Sequence, residues 1–378
     1  MIKRLGDICT FVGGGTPSKK NPDFFNGSIP WATVRDMNVQ VIKTTEHSIT
    51  PDAVQQSATN IIPQGEVVIS THVGLGKVCF LGQDTAINQD LKAVIPNGGL
   101  SRRYLYYWFV SKTDELIANG KGATVKGVTL DFVKNLKIQV MPEREQEAVS
   151  DTLDKVNRII QLADSQVARL DQLIKSRFVE MFGDLVKNDK GWSFSPLGKV
   201  CDVRDGTHAS PQYLMSGYPL MTSKNFTNGY EDFSDVKLIS KEDFEEINRR
   251  SRVDVGDIVM PMIGTIGNPV IITTRREFAI KNVSLIKFVV GSPINVFVKA
   301  VLSSQYFQRV VDEKNRGNTQ KFIALSDIRG FNIPLPPLAL QREFAAFVEK
   351  VDKLAFAARR RRDVARQLYR AKIQEFFG

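Results

Sequence analysis

From Glu143 onward, Val149, Leu153, Val156, Ile160, Ala163, Val167, Leu170 and Ile174 recur at alternating spacings of four and three. That alternation is a coiled-coil seam, and here it outlasts three heptads. Pro142 stands just before it, where proline is tolerated as a helix begins. The same phases return near the other end of the chain in Phe344, Val348, Val351, Ala355, Ala358, Ala365 and Tyr369, with Arg362 interrupting. A helix of some 40 residues spans roughly 60 Å. It cannot hide its seam inside a small domain of its own, and the natural partner is its own copy. Leu162, Leu173 and Phe178 lie off the first seam and predict apolar surface that needs a cover.

Outside the two helices the pattern shortens. "GEVVIS" (65–70) and "GDIVMP" (256–261) are β-branched runs behind a glycine, and Leu285 to Val290 resembles a buried strand. "RRYLYYWFVSKTDELI" (102–117) and "NVFVKAVLSSQYFQRVVDE" (295–313) predict amphipathic helices, whose clustered aromatics Tyr104, Tyr106, Tyr107, Trp108 and Phe109 suit a packed core. Trp31, Trp192 and Phe331 also suit structural positions. "GGGTPSKKNP" (13–22) is a loop.

An internal repeat organises these pieces. Residues 122–183 slide onto 317–378 without a gap and match at 15 of 62 positions, where ordinary composition gives roughly four by chance. Pro142/Pro337, Gln146/Gln341 and Phe182-Gly183/Phe377-Gly378 are among the matches. Upstream the copies correspond more loosely: "RLGDICTFVGGGTPS" (4–18) answers "PLGKVCDVRDGTHAS" (196–210), and "PQGEVVIS" (63–70) answers "DVGDIVMP" (254–261). The expected architecture is α+β. Two similar mixed α/β domains are separated by two long helices in an antiparallel coiled coil, with a pseudo-twofold internal repeat. The boundaries are 1–142, 143–183, 184–337 and 338–378.

Charge bears on how the helices pair. The first begins with Glu143, Glu145, Glu147, Asp151 and Asp154 and ends with Arg169, Lys175 and Arg177; the second begins with Glu343, Glu349 and Asp352 and runs into "RRRRDVARQLYR" (359–370). Antiparallel packing sets acidic starts beside basic ends. Each exposed pair contributes only a few tenths of a kcal/mol, but many together select an orientation.

The chain as a whole carries +10 at pH 7 over 378 residues, which favours an anionic partner, most simply nucleic acid. Three scattered cysteines, Cys9, Cys79 and Cys201, argue against a disulfide framework and for a reducing cytoplasm. The N-terminus lacks the apolar run of a signal peptide, and no membrane segment is expected. Two similar heads suit a partner that itself repeats, and duplex DNA presents equivalent groove faces about 34 Å apart.

In this order, twice over, "LGDI"/"LGKV", "GGGTPS", "GDIVMPMIGTIGNPV" and above all "NIPLPPLALQREF" (332–344) resemble the specificity subunit of type I restriction-modification systems. The first copy of the last motif, "KIQVMPEREQEAV" (137–149), keeps one proline and the glutamine. The resemblance runs end to end. It implies two target recognition domains (1–142 and 184–337), a central spacer helix (143–183) and a C-terminal one (338–378). It also implies a non-catalytic reader of a bipartite, asymmetric site in double-stranded DNA. Two modification (methyltransferase) subunits would dock on the helices and methylate adenine, with restriction subunits joining through them. S-adenosylmethionine, ATP and magnesium would sit on those partners and no cofactor on this chain.

The residues agree on the missing chemistry. There is no Asn/Asp-Pro-Pro-aromatic tetrapeptide and no G-x-x-x-x-G-K-S/T loop, and "GGGTPSKK" has the wrong spacing for one. Pro51-Asp52 with "EVV" (66–68) only faintly echoes a nuclease site, lacking its lysine, and His47, His72 and His208 have no zinc spacing. Base edges and phosphates call for Arg, Lys, Asn, Gln and small hydroxyls. Equivalent loops supply them: Thr16, Ser18, Lys19 and Lys20 against Thr207, His208 and Ser210; Arg35 against Lys224 and Asn225; Thr71, His72 and Lys77 against Thr265 and Asn268; Lys121, Thr124 and Lys126 against Arg316, Asn318, Gln320 and Lys321. Gly122/Gly317 and Lys126/Lys321 match between copies, so they suit frame or backbone contacts; residues that read sequence should differ. Two alternatives stay open at this point, a stand-alone two-headed DNA-binding or bridging protein and an enzyme with an unfamiliar site.

Overall fold

The computed structural model describes residues 1–122, 127–227, 229–263, 266–289, 291–315 and 322–378. The chain divides into Met1–Asp164 with Arg359–Gly378, and Ser165–Ala358. Both divisions fall inside the long helices, Glu143–Phe182 and Leu338–Phe377. Each unit therefore holds the start of one long helix and the end of the other.

In the first unit, Leu91–Pro96 lies between Cys9–Gly13 and Val67–Ser70 in a five-stranded sheet continued by Val78–Leu81 and Val41–Ile42. A four-stranded sheet pairs Ile29–Ala32 in parallel with Thr85–Ile87. Ile2–Arg4 and Lys137–Gln139 form a short ribbon that leads into the long helix. The second unit repeats the plan. Val283–Lys287 lies between Asp202–Asp205 and Ile258–Pro261, Tyr218–Met221 runs parallel to Ala279–Ile280, and Phe194–Pro196 pairs with Asn332–Pro334. Gly65 (φ 83°) and Gly256 (φ 94°) turn the chain into equivalent strands, which are buried on both faces as their β-branched runs imply.

Several elements differ from the sequence expectation. The helix predicted over 102–117 breaks at Lys112 into Arg102–Ser111 and Thr113–Ala118. Its counterpart breaks into Asn295–Leu302 and Gln305–Lys314, where the Ser304 hydroxyl caps the new helix by accepting from Phe307 N. The strand placed at 285–290 is Val283–Lys287, and Val289 is 64% exposed.

The seam is partly as read. Val149, Leu153, Val156 and Ala163 are buried on the first long helix, and Phe344, Val348, Val351, Ala355, Ala358 and Ala365 on the second. Ile160, Val167, Leu170, Ile174 and Tyr369 are half-buried. Phe178 is not surface: it is 5% exposed and packs on Phe182, Phe297 and Phe344. From Ile174 the apolar spacing goes four and four again, to Phe178 and Phe182, so the seam drifts toward the straight-helix period. The helices run antiparallel within each unit. In the first, Tyr369 packs beside Tyr107, and Phe377 beside Tyr104; in the second, Arg177 pairs with Glu343 at 2.8 Å. The acidic start of the first helix, however, does not meet the arginine run. Asp151 and Asp154 pair with Arg103, and Asp154 also accepts from the Tyr107 hydroxyl. Arg362, which interrupts the second seam, reaches Asp164 at 3.4 Å.

One contact appears twice and fixes each long helix to its domain. Gln146 is fully buried; its Oε1 accepts from Ser101 N (2.8 Å), and its Nε2 donates to Gly99 O (2.8 Å) and Met141 O (2.7 Å). Gln341, 2% exposed, accepts from Ile294 N (2.8 Å) and donates to Pro336 O (2.8 Å). Each carboxamide ties the first turn of a long helix to the loop ahead of the domain's last helical layer. An alanine here leaves several buried backbone groups unpaired. Gln146→Ala and Gln341→Ala should each cost about 2–3 kcal/mol, with lost hydrogen-exchange protection concentrated in the unit that carries the change. Glutamate should not rescue, because its oxygens would face carbonyls.

Candidate nucleic-acid interface

In the first unit the structure gathers several of the candidate residues around one open depression. Thr71, His72, Lys92, Lys121, Gly127 and Thr129 line it. Lys121 and Gly127 exchange backbone hydrogen bonds at 2.9 and 3.0 Å, and Val128 N donates to Thr71 O at 2.9 Å. Gly127 is closely approached. A Cβ there would lie 2.8 Å from the His72 ring and 3.0 Å from Thr71 O, so a side chain would crowd the Thr71 carbonyl and displace the exposed imidazole. Thr71 itself is buried, its hydroxyl donating to Asp90 O at 3.2 Å, so it holds the rim. His72 and Lys121 are exposed.

Lys92 was not among the sequence candidates. Its Nζ donates to Gln89 O at 2.9 Å, and burial lowers its pKa while Asp90 acts in the opposite direction. Gln89 is exposed and accepts from the Thr16 hydroxyl. Ser18, Lys19 and Lys20 are exposed on the adjoining loop. This edge of the unit therefore combines cations with an amide and a hydroxyl, groups that suit phosphates and base edges.

The other first-unit candidates differ in their surroundings. Lys77 is tied to Val34 O (3.2 Å) and Asn38 Oδ1 (2.7 Å), so its charge is turned inward. Arg35 is exposed and pairs loosely with Glu46 at 3.4 Å. Thr124 and Lys126 lie outside the described residues.

In the second unit His208 and Ser210 are exposed and Thr207 half-buried. His208 Nδ1 lies 2.8 Å from Asn282 Oδ1 and its Nε2 2.8 Å from Asp205 Oδ2; Lys281 Nζ donates to Ser210 Oγ at 2.8 Å. Asp205 is buried and pairs with Arg250. Lys224 is exposed, and Asn268 shares a second depression with Thr227, Lys299 and Ser303. Asn225 is buried; it accepts from Thr222 N (2.9 Å) and donates to Asp232 O and Asp235 O (3.0 Å each), so it staples its loop. Asp36 does the same work in the first unit by accepting from Thr33 N at 2.7 Å. Thr265, Arg316, Asn318, Gln320 and Lys321 lie outside the described residues.

Gln89, Lys92, Lys281 and Asn282 escaped the sequence reading. The signal was present in "AINQ" (86–89) against "AIKN" (279–282), but the copies are out of the fixed 195-residue register there. The buried Glu66 and the three thiols serve the core. Glu66 is buried against Arg102 at 2.6 Å, far from any nuclease-like arrangement with Pro51-Asp52, which opens a short helix. Burial pushes the thiols of Cys9, Cys79 and Cys201 up to about 12, so they stay protonated at neutral pH. Among the described residues no helix is long and apolar enough to cross a membrane.

Comparison with known proteins agrees with this layout. The model of the type I restriction modification DNA specificity domain matches twice, over residues 1–172 and 189–364. The MjaIX type I restriction enzyme specificity subunit of Methanocaldococcus jannaschii is 24% identical over 380 residues, covering 92% of this chain and 85% of that one. The EcoR124I/EcoR124II specificity subunit of Escherichia coli is 31% identical over 191 residues, 49% of this chain and 47% of its own. Among solved structures, the S subunit of a type I restriction-modification system from M. genitalium superposes with a TM-score of 0.60 at 13% identity, covering 100% of this chain and 96% of the other. A chain from the structural work on complex assembly and conformational transition of the type I R-M system gives 0.55 at 19%, covering 100% and 97%. At these identities the solved structures support the fold.

If the depression holds a phosphate, Lys92→Ala with Lys121→Ala should weaken binding to duplex DNA about equally for all sequences. The slope of log K against log salt should fall by roughly 1–2. A titration at four or five salt concentrations measures it.

Proposed function

Since this chain belongs to the family of the type I restriction modification DNA specificity domain, we propose that it is the DNA-reading subunit of such a complex. Each unit reads one half of a two-part, asymmetric site. The observation that carries this reading is the family match falling once on each copy of the repeat, with each copy joined to its long helix by the same buried glutamine. The net charge of +10 and the exposed lysines at the unit edges supply the sequence-independent attraction to phosphates. The stand-alone two-headed protein is not favoured, because the family model and the relatives and solved structures named above are all of restriction-modification specificity subunits or systems.

The chain does no chemistry in this proposal. It directs adenine methylation by two modification subunits and restriction by further subunits that join through them, and those partners carry S-adenosylmethionine, ATP and magnesium. The docking surface is on the long helices. Ile159, Leu162, Leu173 and Val179 are exposed on the first, and Leu354, Phe356, Val364 and Leu368 on the second, with Phe356 at 66%. Apolar side chains repeated along a helix surface favour a protein cover.

Deleting the gene should remove one gapped, two-part motif from the genome-wide map of methylated adenine; an unchanged map counts against the proposal. Exchanging residues 1–142 for another domain of the family should replace one half of the motif and keep the other. In a separate test, Leu162→Ser with Phe356→Ser should abolish co-purification of modification subunits while DNA binding by the chain itself persists.

A further inference from the structure

The two units place different side chains on one shared frame. In the first unit Gly15 N donates to Ile87 O (3.0 Å) and Asn88 N to Ala32 O (3.0 Å). In the second, Thr207 N donates to Ile280 O (3.0 Å) and Lys281 N to Met221 O (2.9 Å). These bonds lock the loop after the first sheet strand against the turn after the parallel strand. They make Gly15 equivalent to Thr207 and Asn88 to Lys281, and the next residue of each segment meets its opposite number. Thr16 reaches Gln89 in one unit, and His208 reaches Asn282 in the other.

The backbone of this crossing is common to both units; its tips are not. The neighbouring position diverges as well. Lys92, opposite Ile69 in one sheet, corresponds to Ser284, opposite Met260 in the other, and Ser284 is buried. His72 and Gly127 correspond in the same way to Ile263 and Phe322, because Val128 N bonds Thr71 O and Ile323 N bonds Met262 O, each at 2.9 Å.

Building on the DNA-reading role, we propose that Gln89 and Asn282 are the specificity-determining residues of the two half-sites, each reading one base pair. Thr16 and His208 act as positioning residues that aim the two carboxamides. A carboxamide offers a donor beside an acceptor, the complement of adenine N7 and N6 in the major groove. Among the described residues neither Gln89 Nε2 nor Asn282 Nδ2 has a hydrogen-bond partner, while Gln89 Oε1 accepts from the Thr16 hydroxyl and Asn282 Oδ1 lies 2.8 Å from His208 Nδ1. Gln89 is exposed and Asn282 half-exposed. Asn282 sits at φ 55°, a left-handed conformation held by its N–H to Thr207 O at 3.1 Å. Lys92 beside Gln89 and Lys281 beside Ser210 place a cation next to each tip for the flanking phosphate.

The test is selection from a pool of randomised duplex DNA by the full chain, wild type and variants, with sequencing of the bound fraction. Wild type should return a two-part motif. Gln89→Ala should lose preference at one base pair of one half-site by about tenfold or more, and Asn282→Ala should do so in the other half only. Gln89→Glu should change the preferred base at the same position, toward cytosine, whose amino group a carboxylate accepts. Thr16→Val should loosen that position and Thr16→Ser restore it, which a merely structural hydroxyl would not do. Unfolding curves that coincide with wild type exclude a folding defect. A wild-type motif left intact by Gln89→Ala and Asn282→Ala overturns the assignment alone. A wild-type pool without any two-part motif overturns the DNA-reading role and the assignment together.

Discussion

A buried carboxamide with all its partners satisfied is the interaction on which this architecture rests. Gln146 and Gln341 each gather backbone groups from the strand end before the long helix and from the loop ahead of the helical layer. A buried backbone donor or acceptor is costly when unpaired, and neither loop has a regular ladder to join. The glutamine therefore does two things at once. It terminates a domain and it sets the direction in which a 40-residue helix leaves it. Each domain's reading edge thus has a defined attitude to its helix.

Around that joint the two units differ where tolerance is greatest. The strands common to both units share order and register, although among the described residues the second unit's sheets have four and three strands against five and four in the first. A turn glycine followed by a buried acid occurs in both, Glu66 with Arg102 and Asp257 with Lys287. The cation comes from a helix start in one case and a strand end in the other, so the need to neutralise a buried carboxylate persisted while its solution did not. The same separation between frame and tip appears at the loop crossing, where backbone hydrogen bonds agree and the side chains do not.

The long helices were legible because their periodicity runs unbroken for many turns and nothing local competes with it. The repeat was legible wherever the copies share one register, from Gly122/Gly317 onward. What was not legible depended on single residues answering to tertiary neighbours. Lys112 and the Ser303-Ser304 pair interrupt helices whose apolar pattern continues past them. Phe178 reads as off the seam because the seam itself drifts. Asp154 looks free to pair along the coiled coil until Arg103 and Tyr107 arrive from the domain. Asn225 has the chemistry of a base reader and the position of a staple. Residue type alone cannot distinguish a polar group aimed at solvent from one closing a loop.

The split of the long helices between units also orders events on the ribosome. Ser165–Ala358 is one continuous stretch, whereas the other unit needs Met1–Asp164 and then Arg359–Gly378. The unit encoded first is thus completed last. Until Tyr369 and Phe377 arrive, Tyr107 and Tyr104 have no aromatic cover from the second helix. During synthesis an exposed tyrosine face waits while the later unit folds, which makes the nascent first unit the stage most exposed to chaperones and to mispairing with a neighbouring chain.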